Sequence, residues 1–293
     1  MGKGILYCLG EGWLALDAAA PLACADTFRP RVGGTAAALA LACAALGSKA
    51  ALLTQLGEDA FGHRIADALT SAGVDTSRIC FTSRAPTPVV FGGADELLPF
   101  RAPSAELLYA PQQLGTNWAA DAFALAFSSA CLVDCPCRYT HLAALDTARF
   151  AGVPVCFVPA LRPALWPSAK AMRDTVLQFL PLADILVLTA DEMEQLLDTR
   201  EYQVGLFALL RGHTQLVLLR TEAEVHLFTR AAHASCPDTG ATTAQLAAQL
   251  LCGMQRKNLT LAQLPRLSSS ELETLSVTPD GAPPLPKGEV FDR

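Results

Sequence analysis

The segment "DTGATTAQLAAQLLCGM", residues 238–254, combines residue types that could handle a phosphoryl group. Asp238-Thr239-Gly240-Ala241 is turn-forming, and an alanine- and leucine-rich run follows, so the segment reads as a loop entering a helix. The amides at such an end, here those of Gly240, Ala241 and Thr242, make an anion hole. Phosphoryl transfer to a hydroxyl also needs a carboxylate to accept the proton. Thr242, Thr243 and Ala244 cannot do this, and the acid on the same loop is Asp238.

A second constellation is "CLVDCPCRYTH". Cys131, Cys135, Cys137 and His141 have the ligand types for zinc, but no second cysteine pair supports the pattern, and the expectation is thiols without metal that act as small apolar fillers or exposed bystanders. His63, His141 and His213 sit in amphipathic or loop contexts and receive no role. Asp59 is expected to cap or hydrogen-bond its own turn.

Composition narrows the class. The 293 residues are 52% hydrophobic with a mean hydropathy of +0.32, but the apolar runs are mostly alanine and break within about 18 residues, too short to span a bilayer. "MGKGILYCLGEGW" has one lysine before a short apolar run and no small-residue cleavage site, so no signal peptide and a cytoplasmic location are expected. A net charge of -6 and a pI near 5.4 argue against nucleic acid as a partner. Ten scattered cysteines fit reduced thiols rather than a disulfide framework.

These residues must be positioned by a larger frame. "ILYCLG", "AALLTQLG", "VPVCFVP", "ADILVLT" and "QLVLLRT" read as buried strands. "TAAALALACAALG", "AFGHRIADALTSAG", "AADAFALAF", "THLAALDTARFAG" and "SAKAMRDTVLQFL" read as the helices between them. Apolar strands alternating with helices predict a three-layer, doubly wound α/β domain over 1–293 with a mainly parallel sheet and ligands beyond the strands' carboxyl ends. Residues 14–34 and 85–111 break the rhythm with prolines and short β-like pieces, and read as a small β excursion. The proline- and serine-rich tail after about residue 265 is expected to drape over the surface.

With the pieces in this order the chain resembles the ribokinase-like (PfkB-type) carbohydrate kinases, in particular their fructokinase branch. "LGEGWLALD" resembles the opening strand with its sugar-binding aspartate, here Asp17. Gly33-Gly34, Leu46-Gly47, Gly57-Glu58-Asp59, Phe61-Gly62 and Gly73-Val74-Asp75 follow the first signature. "FRAPSAELL", with Arg101, is similar to the segment returning from the lid, and "PALRPALWPSAKAMRD" to the stretch with a sugar-side arginine, here Arg162. "DTGATTA" stands where the family has D-T-x-G-A-G-D. The resemblance implies a Rossmann-like domain, transfer from ATP with Mg2+ to a sugar hydroxyl, the β excursion as lid, and a homodimer through the lid.

The resemblance also locates departures. The base aspartate falls on Thr243 or Ala244, and the second glycine of its loop on Thr242. Ala38 replaces the asparagine of G-G-x-x-x-N, and Val158 and Ala160 the first and third residues of D-P-N-x-R. Thr189 replaces the asparagine of N-x-x-E with Glu192 kept on the nucleotide side, and the T-x-G turn is absent from "LVLLRTEAEV". Of the stretch after the late helix, only Gly281-Ala282 and Pro286 match. Polar groups are thus missing from both half-sites, and the leading expectation is a fructokinase-like protein with absent or very weak phosphotransfer, binding a sugar or a less polar ligand. The alternatives are a working kinase with Asp238 as relocated base, and a non-catalytic regulatory or scaffold protein that binds neither ATP nor sugar.

Overall fold

A computed structural model describes residues 4–94, 96–115 and 117–275. Its main sheet is built from short apolar runs that are buried on both faces. Seven strands are parallel neighbours: β1 (Ile5–Leu9), β4 (Ala50–Gly57), β5 (Ile79–Thr82), β8 (Ala122–Ser128), β9 (Val155–Val158), β10 (Ile185–Thr189) and β11 (Leu216–Arg220). The antiparallel hairpin β12 (Glu224–Phe228) and β13 (His233–Pro237) extends one edge, giving the order β13-β12-β11-β10-β9-β8-β1-β4-β5.

Successive residues of each strand feed opposite cores. Leu6 and Cys8 of β1 pack with α1 (Thr35–Ala45), α2 (Ala60–Ser71), α7 (Thr243–Arg256) and α8 (Ser269–Glu273). Tyr7 and Leu9 pack with α3 (Pro136–Ala151), α4 (Ala169–Phe179), α5 (Ala190–Leu197) and α6 (Tyr202–Leu209). The result is the three-layer α/β architecture with a mainly parallel sheet that the strand and helix pattern predicts.

Two readings of local structure change. "AADAFALAF" is not a helix: it forms the central strand β8. The reason is a period of two within the alanine-rich run, which puts Ala124 and Ala126 under α1 and α7 and Leu125 and Phe127 into the opposite core. Burial on both faces overrides alanine's preference for helix. The alternating "EVHLF" of β12 and its partner β13 also form a hairpin that the sequence reading does not include.

A second, four-stranded sheet has the order β3-β2-β6-β7, with β2 at Trp13–Asp17, β3 at Arg29–Gly33, β6 at Val89–Gly92 and β7 at Leu97–Phe100. All four strands come from the two segments that break the α/β rhythm. Asp59 ties this sheet to the main one. Its Oδ1 accepts from the Phe61 and Gly62 amides at the start of α2, and its Oδ2 from the Thr87 amide leading into β6. Burial works against its ionisation, but these N–H groups outweigh it and hold the carboxyl below its usual range. The tail matches Gly281, Ala282 and Pro286 lie outside the described residues.

Candidate functional site

The chain leaves β1 toward β4 on one side of the sheet and β8 toward β9 on the other, so the order reverses between β1 and β8. Open α/β sheets bind ligands at such a reversal, beyond the carboxyl ends of the strands. Here the crevice is organised by Glu11, which the sequence reading passes over. Fully buried, Glu11 accepts from the Thr35 amide at 2.7 Å and the Ala36 amide at 3.3 Å, capping α1. Ser128 at the end of β8 donates its hydroxyl to the same carboxylate. Gly34 makes this approach possible. It has φ +103, and a Cβ there would lie 2.6 Å from the Glu11 carbonyl oxygen. The signal in the sequence was the carboxylate of "GEG" directly after an apolar strand.

Two cavities open at the carboxyl end of the sheet. The first, of about 520 Å³, lies between the small sheet, α1 and the start of α7. Asp17, Arg29, Arg31, Gly34, Ala38 and Arg162 help to line it, together with Thr242 and Thr243. The second, of about 850 Å³, lies over β10 and β11 and is lined by Thr189, Glu192, Arg200, Arg220, Thr221 and their neighbours. Arg162 and Thr243 border both.

Most of the residues singled out by sequence reach these cavities, in unequal ways. Asp17, at the end of β2, is buried and forms an ion pair with Arg31 through Oδ2, while Oδ1 has no hydrogen-bond partner. Gly33 serves packing, since a Cβ there would meet the Trp13 ring at 2.2 Å. Glu192 borders the second cavity, but its carboxylate accepts from the Leu161 amide at 2.7 Å and the Thr189 amide at 2.9 Å. With Thr189 Oγ1 accepting from the Glu192 amide, this is the capping box of α5.

Three expectations are altered by the geometry. Arg101 is only 5% exposed and lines neither cavity. It donates to Glu106 at 2.7 Å and to the Ala130 carbonyl at 3.0 Å, and stacks over Trp13. Asp238 also lines neither cavity. Its Oδ2 accepts from Arg220 Nε and Nη2 at 3.1 and 2.9 Å, and its Oδ1 from the Gly240 amide at 3.2 Å. The anion hole is engaged by its own helix. The Thr242 amide donates to the Gln245 side chain at 3.0 Å, and the Gln245 amide to Thr242 Oγ1 at 3.2 Å. Gly240 and Thr242, two of the three amides in the loop, thus already have acceptors.

The cysteine segment proves less bland than expected. Cys131 and Cys137 are buried, and Cys135 is the N-cap residue of α3. Cys137 Sγ lies 3.7 Å from His141 Nδ1, which donates to the Cys137 carbonyl at 2.8 Å. Contact with Cys131 and the adjacent His141 draw the Cys137 thiol down to about 6 despite burial, so it is a polar contact rather than an apolar filler. Among the described residues no three His, Cys, Asp or Glu side chains are grouped to hold a metal ion, and no helix is long and apolar enough to cross a membrane.

Comparison with known proteins decides the family. Residues 14–223 match the pfkB family carbohydrate kinases. The chain belongs to this family. It is 32% identical over 206 residues to probable fructokinase-3 of Arabidopsis thaliana, and 33% over 201 residues to fructokinase-1 of Zea mays. The matches cover 68% and 66% of this chain, and 60% and 62% of those relatives, so the chain spans somewhat under two thirds of their length. The solved fructokinase of Xylella fastidiosa superposes with a TM-score of 0.82 at 27% identity, covering 94% of this chain and 90% of that one; a second structure of it, with bound ATP, gives 0.81.

The family's missing polar groups can now be located. Ala38 lines the first cavity and Ala160 the second, while Val158 is fully buried at the end of β9 and lines neither. Ala160 has φ +46, a left-handed conformation that asparagine, the family's residue in D-P-N-x-R, adopts more readily than alanine. The pfkB kinases use ATP, and the second cavity has the volume for a nucleotide. The Gly240 and Thr242 amides of the loop entering α7 and the Glu192 carboxylate bordering the second cavity are already engaged with groups of this chain.

Proposed function

We propose that this protein is a fructokinase-like pfkB member whose two ligand cavities persist while phosphotransfer is absent or very weak. The carrying observation is Thr243: at the junction of both cavities, where a base must stand to reach the transferring group, the chain offers a hydroxyl that cannot accept a proton near neutral pH. The self-capped start of α7 supports the same reading, because its Gly240 and Thr242 amides would have to exchange their present acceptors for a phosphate. Asp238 offers no substitute while Arg220 holds its carboxylate. ATP with Mg2+ is the nucleotide such a cavity would take, and its binding is expected to be weak.

The test is a coupled assay for ADP release with ATP, Mg2+ and fructose. Loss of a general base alone lowers rates by roughly 10²- to 10⁴-fold. Turnover is therefore expected far below the roughly 1–100 per second usual for kinases. An ordinary rate overturns the reading, and abolition of that rate by Asp238→Asn would identify a relocated base. On the same footing we propose a homodimer through the small sheet, which then serves as the lid.

A further inference from the structure

Cysteine side chains meet at two places inside the fold, in opposite electrostatic settings. In the core under α1 and α7, Cys43 touches Cys252 and Cys8 among aliphatic neighbours. The hydrogen bond with Cys252 draws the Cys43 thiol down, but contact with Cys8 and burial outweigh it and push it well above the usual range. Such a thiol stays protonated and inert. At the start of α3, by contrast, Cys131 and Cys137 touch beside two cationic side chains. His141 Nδ1 lies 3.7 Å from Cys137 Sγ, and Arg101 Nη2 lies 3.8 Å from Cys131 Sγ. Cys137 is also the second residue of a 16-residue helix, whose first amides favour an anion.

The two sulfurs of this pair take opposite states. Cys131 is pushed up by its hydrogen bond to Cys137 and by burial, so it keeps its proton and donates it to the Cys137 sulfur. Cys137, drawn down to about 6 by that bond and by His141, is a thiolate at neutral pH. Burial works against a charge on His141, but the Cys137 thiolate outweighs it and holds the imidazole above its usual range. Half-buried Cys135, pushed up to about 11 by burial, stays protonated. The remaining charged groups facing the pair are Arg101, its partner Glu106, and Glu11, and the two carboxylates oppose the charge on Cys137.

A nucleophilic sulfur, a proton donor and a second thiol are thus assembled apart from the two cavities, since Cys131, Cys137 and His141 line neither. Polar atoms without partners mark the same place. His141 Nε2 and Glu106 Oε2 are buried and have no hydrogen-bond partner, and buried atoms of this kind favour the entry of a small polar molecule. Nε2 faces the end of β1 at Gly10, where a Cβ would lie 3.6 Å from it.

We propose that Cys137 and Cys131 form a peroxide-sensitive pair, in which Cys137 attacks hydrogen peroxide and Cys131 closes a disulfide onto it. In the first step the Cys137 sulfur forms a bond to one peroxide oxygen as the O–O bond breaks. The departing hydroxide takes the proton of the His141 imidazolium and leaves as water. Cys137 has then lost two electrons to the peroxide and is a sulfenic acid. In the second step the Cys131 sulfur attacks that of Cys137, the S–S bond forms, the S–O bond breaks, and hydroxide leaves with the Cys131 proton as a second water. Burial restricts the reaction to an oxidant close to water in size, which hydrogen peroxide is.

Oxidation of the reduced full chain with hydrogen peroxide, followed by iodoacetamide and peptide mapping, tests the pairing. The expected product is a disulfide between Cys131 and Cys137, with the exposed Cys24 still alkylated. The Cys137 rate should rise with pH to half its maximum at about 6, whereas ordinary thiols ionise near about 8.5. At that pH Cys137 should react about tenfold or more faster than Cys24. Cys131→Ser should stop the reaction at the Cys137 sulfenic acid, which dimedone traps. His141→Asn should move the midpoint up toward that of an ordinary thiol, and melting temperatures check that both variants fold. Cys131→Ser replaces a single atom, so the trapping result stands even if the histidine variant is unstable. Protection of Cys137 in the native chain, with oxidation only in urea, would overturn the proposal. So would a disulfide through Cys135, or a midpoint near that of ordinary thiols.

Discussion

Arg101 shows how a residue that belongs to a functional-looking segment can serve the core instead. Glu106, its partner, is fully buried, and burial pushes its carboxyl up to about 7, with Arg101 offsetting only part of the cost. Truncating one member of a buried pair strands the other, at a cost of about 3–5 kcal/mol. Arg101→Met is therefore expected to destabilise by that amount at pH 7 in urea denaturation, and Glu106→Leu added to it should restore most of the loss. The pH dependence has a definite sign. An acid whose folded pKa is raised binds more protons folded than unfolded, so its contribution falls as pH climbs from its ordinary value of about 4.3 toward 7. The Arg101→Met variant should thus recover stability on acidification from pH 7 toward 5. A sugar contact would behave otherwise, changing ligand affinity with little change in stability. Within "FRAPSAELL" the partner Glu106 stands five residues from Arg101, but Ala130 and Trp13, which complete the buried contacts of the pair, are remote in sequence. Glu11 is marked in the sequence only as a carboxylate following an apolar strand, and its role comes from the remote Thr35 and Ser128.

At the scale of elements, the start of α7 decides how much of a kinase could be recovered. Thr242→Gly removes the hydroxyl of the capping box, and glycine at an N-cap costs only a few tenths of a kcal/mol. Thr243→Asp adds a carboxylate to the first turn, where the helix dipole favours it. The double variant is expected to fold and to gain slow ATP hydrolysis without appreciable fructose phosphorylation, because Ala38 and Ala160 still lack the family's polar side chains. Free phosphate and fructose phosphate measured in parallel would separate the two outcomes, and efficient sugar phosphorylation would show that the base was the only deficit. The loop-to-helix start was legible from turn residues followed by an amphipathic run. Its self-capping was legible in principle too, since Thr242 and Gln245 stand three residues apart in the S/T-x-x-E/Q pattern. In β8 the alanine content favours helix, whereas the alternation of small and large residues fits a strand between two others, which buries both of its faces.

For the whole molecule, the open question of shape is what covers the small sheet. Its outer strands, β3 and β7, are edges that offer unpaired backbone groups to another chain. Each carries a proline, Pro30 and Pro99, which removes one donor from each edge without closing it. Apolar side chains accompany these edges. Phe28, Phe91 and Phe100 form an edge-to-face cluster with centroids 5.2 and 5.7 Å apart, and Phe100 is 60% and Leu98 48% exposed. Two such sheets joined about a twofold axis would cover both patches and pair their edges. A dimer is therefore expected, and sedimentation equilibrium at micromolar concentration should give twice the chain mass of 30.9 kDa. Phe100→Lys combined with Leu98→Lys should shift the population to monomer, since like charges would meet across the axis. The main sheet does not depend on those side chains, so the melting temperature of the dissociated chain should lose its dependence on protein concentration while unfolding stays cooperative. A single 30.9 kDa species for the unmodified protein would leave the edge prolines as a sufficient guard and the small sheet as a lid for one chain alone.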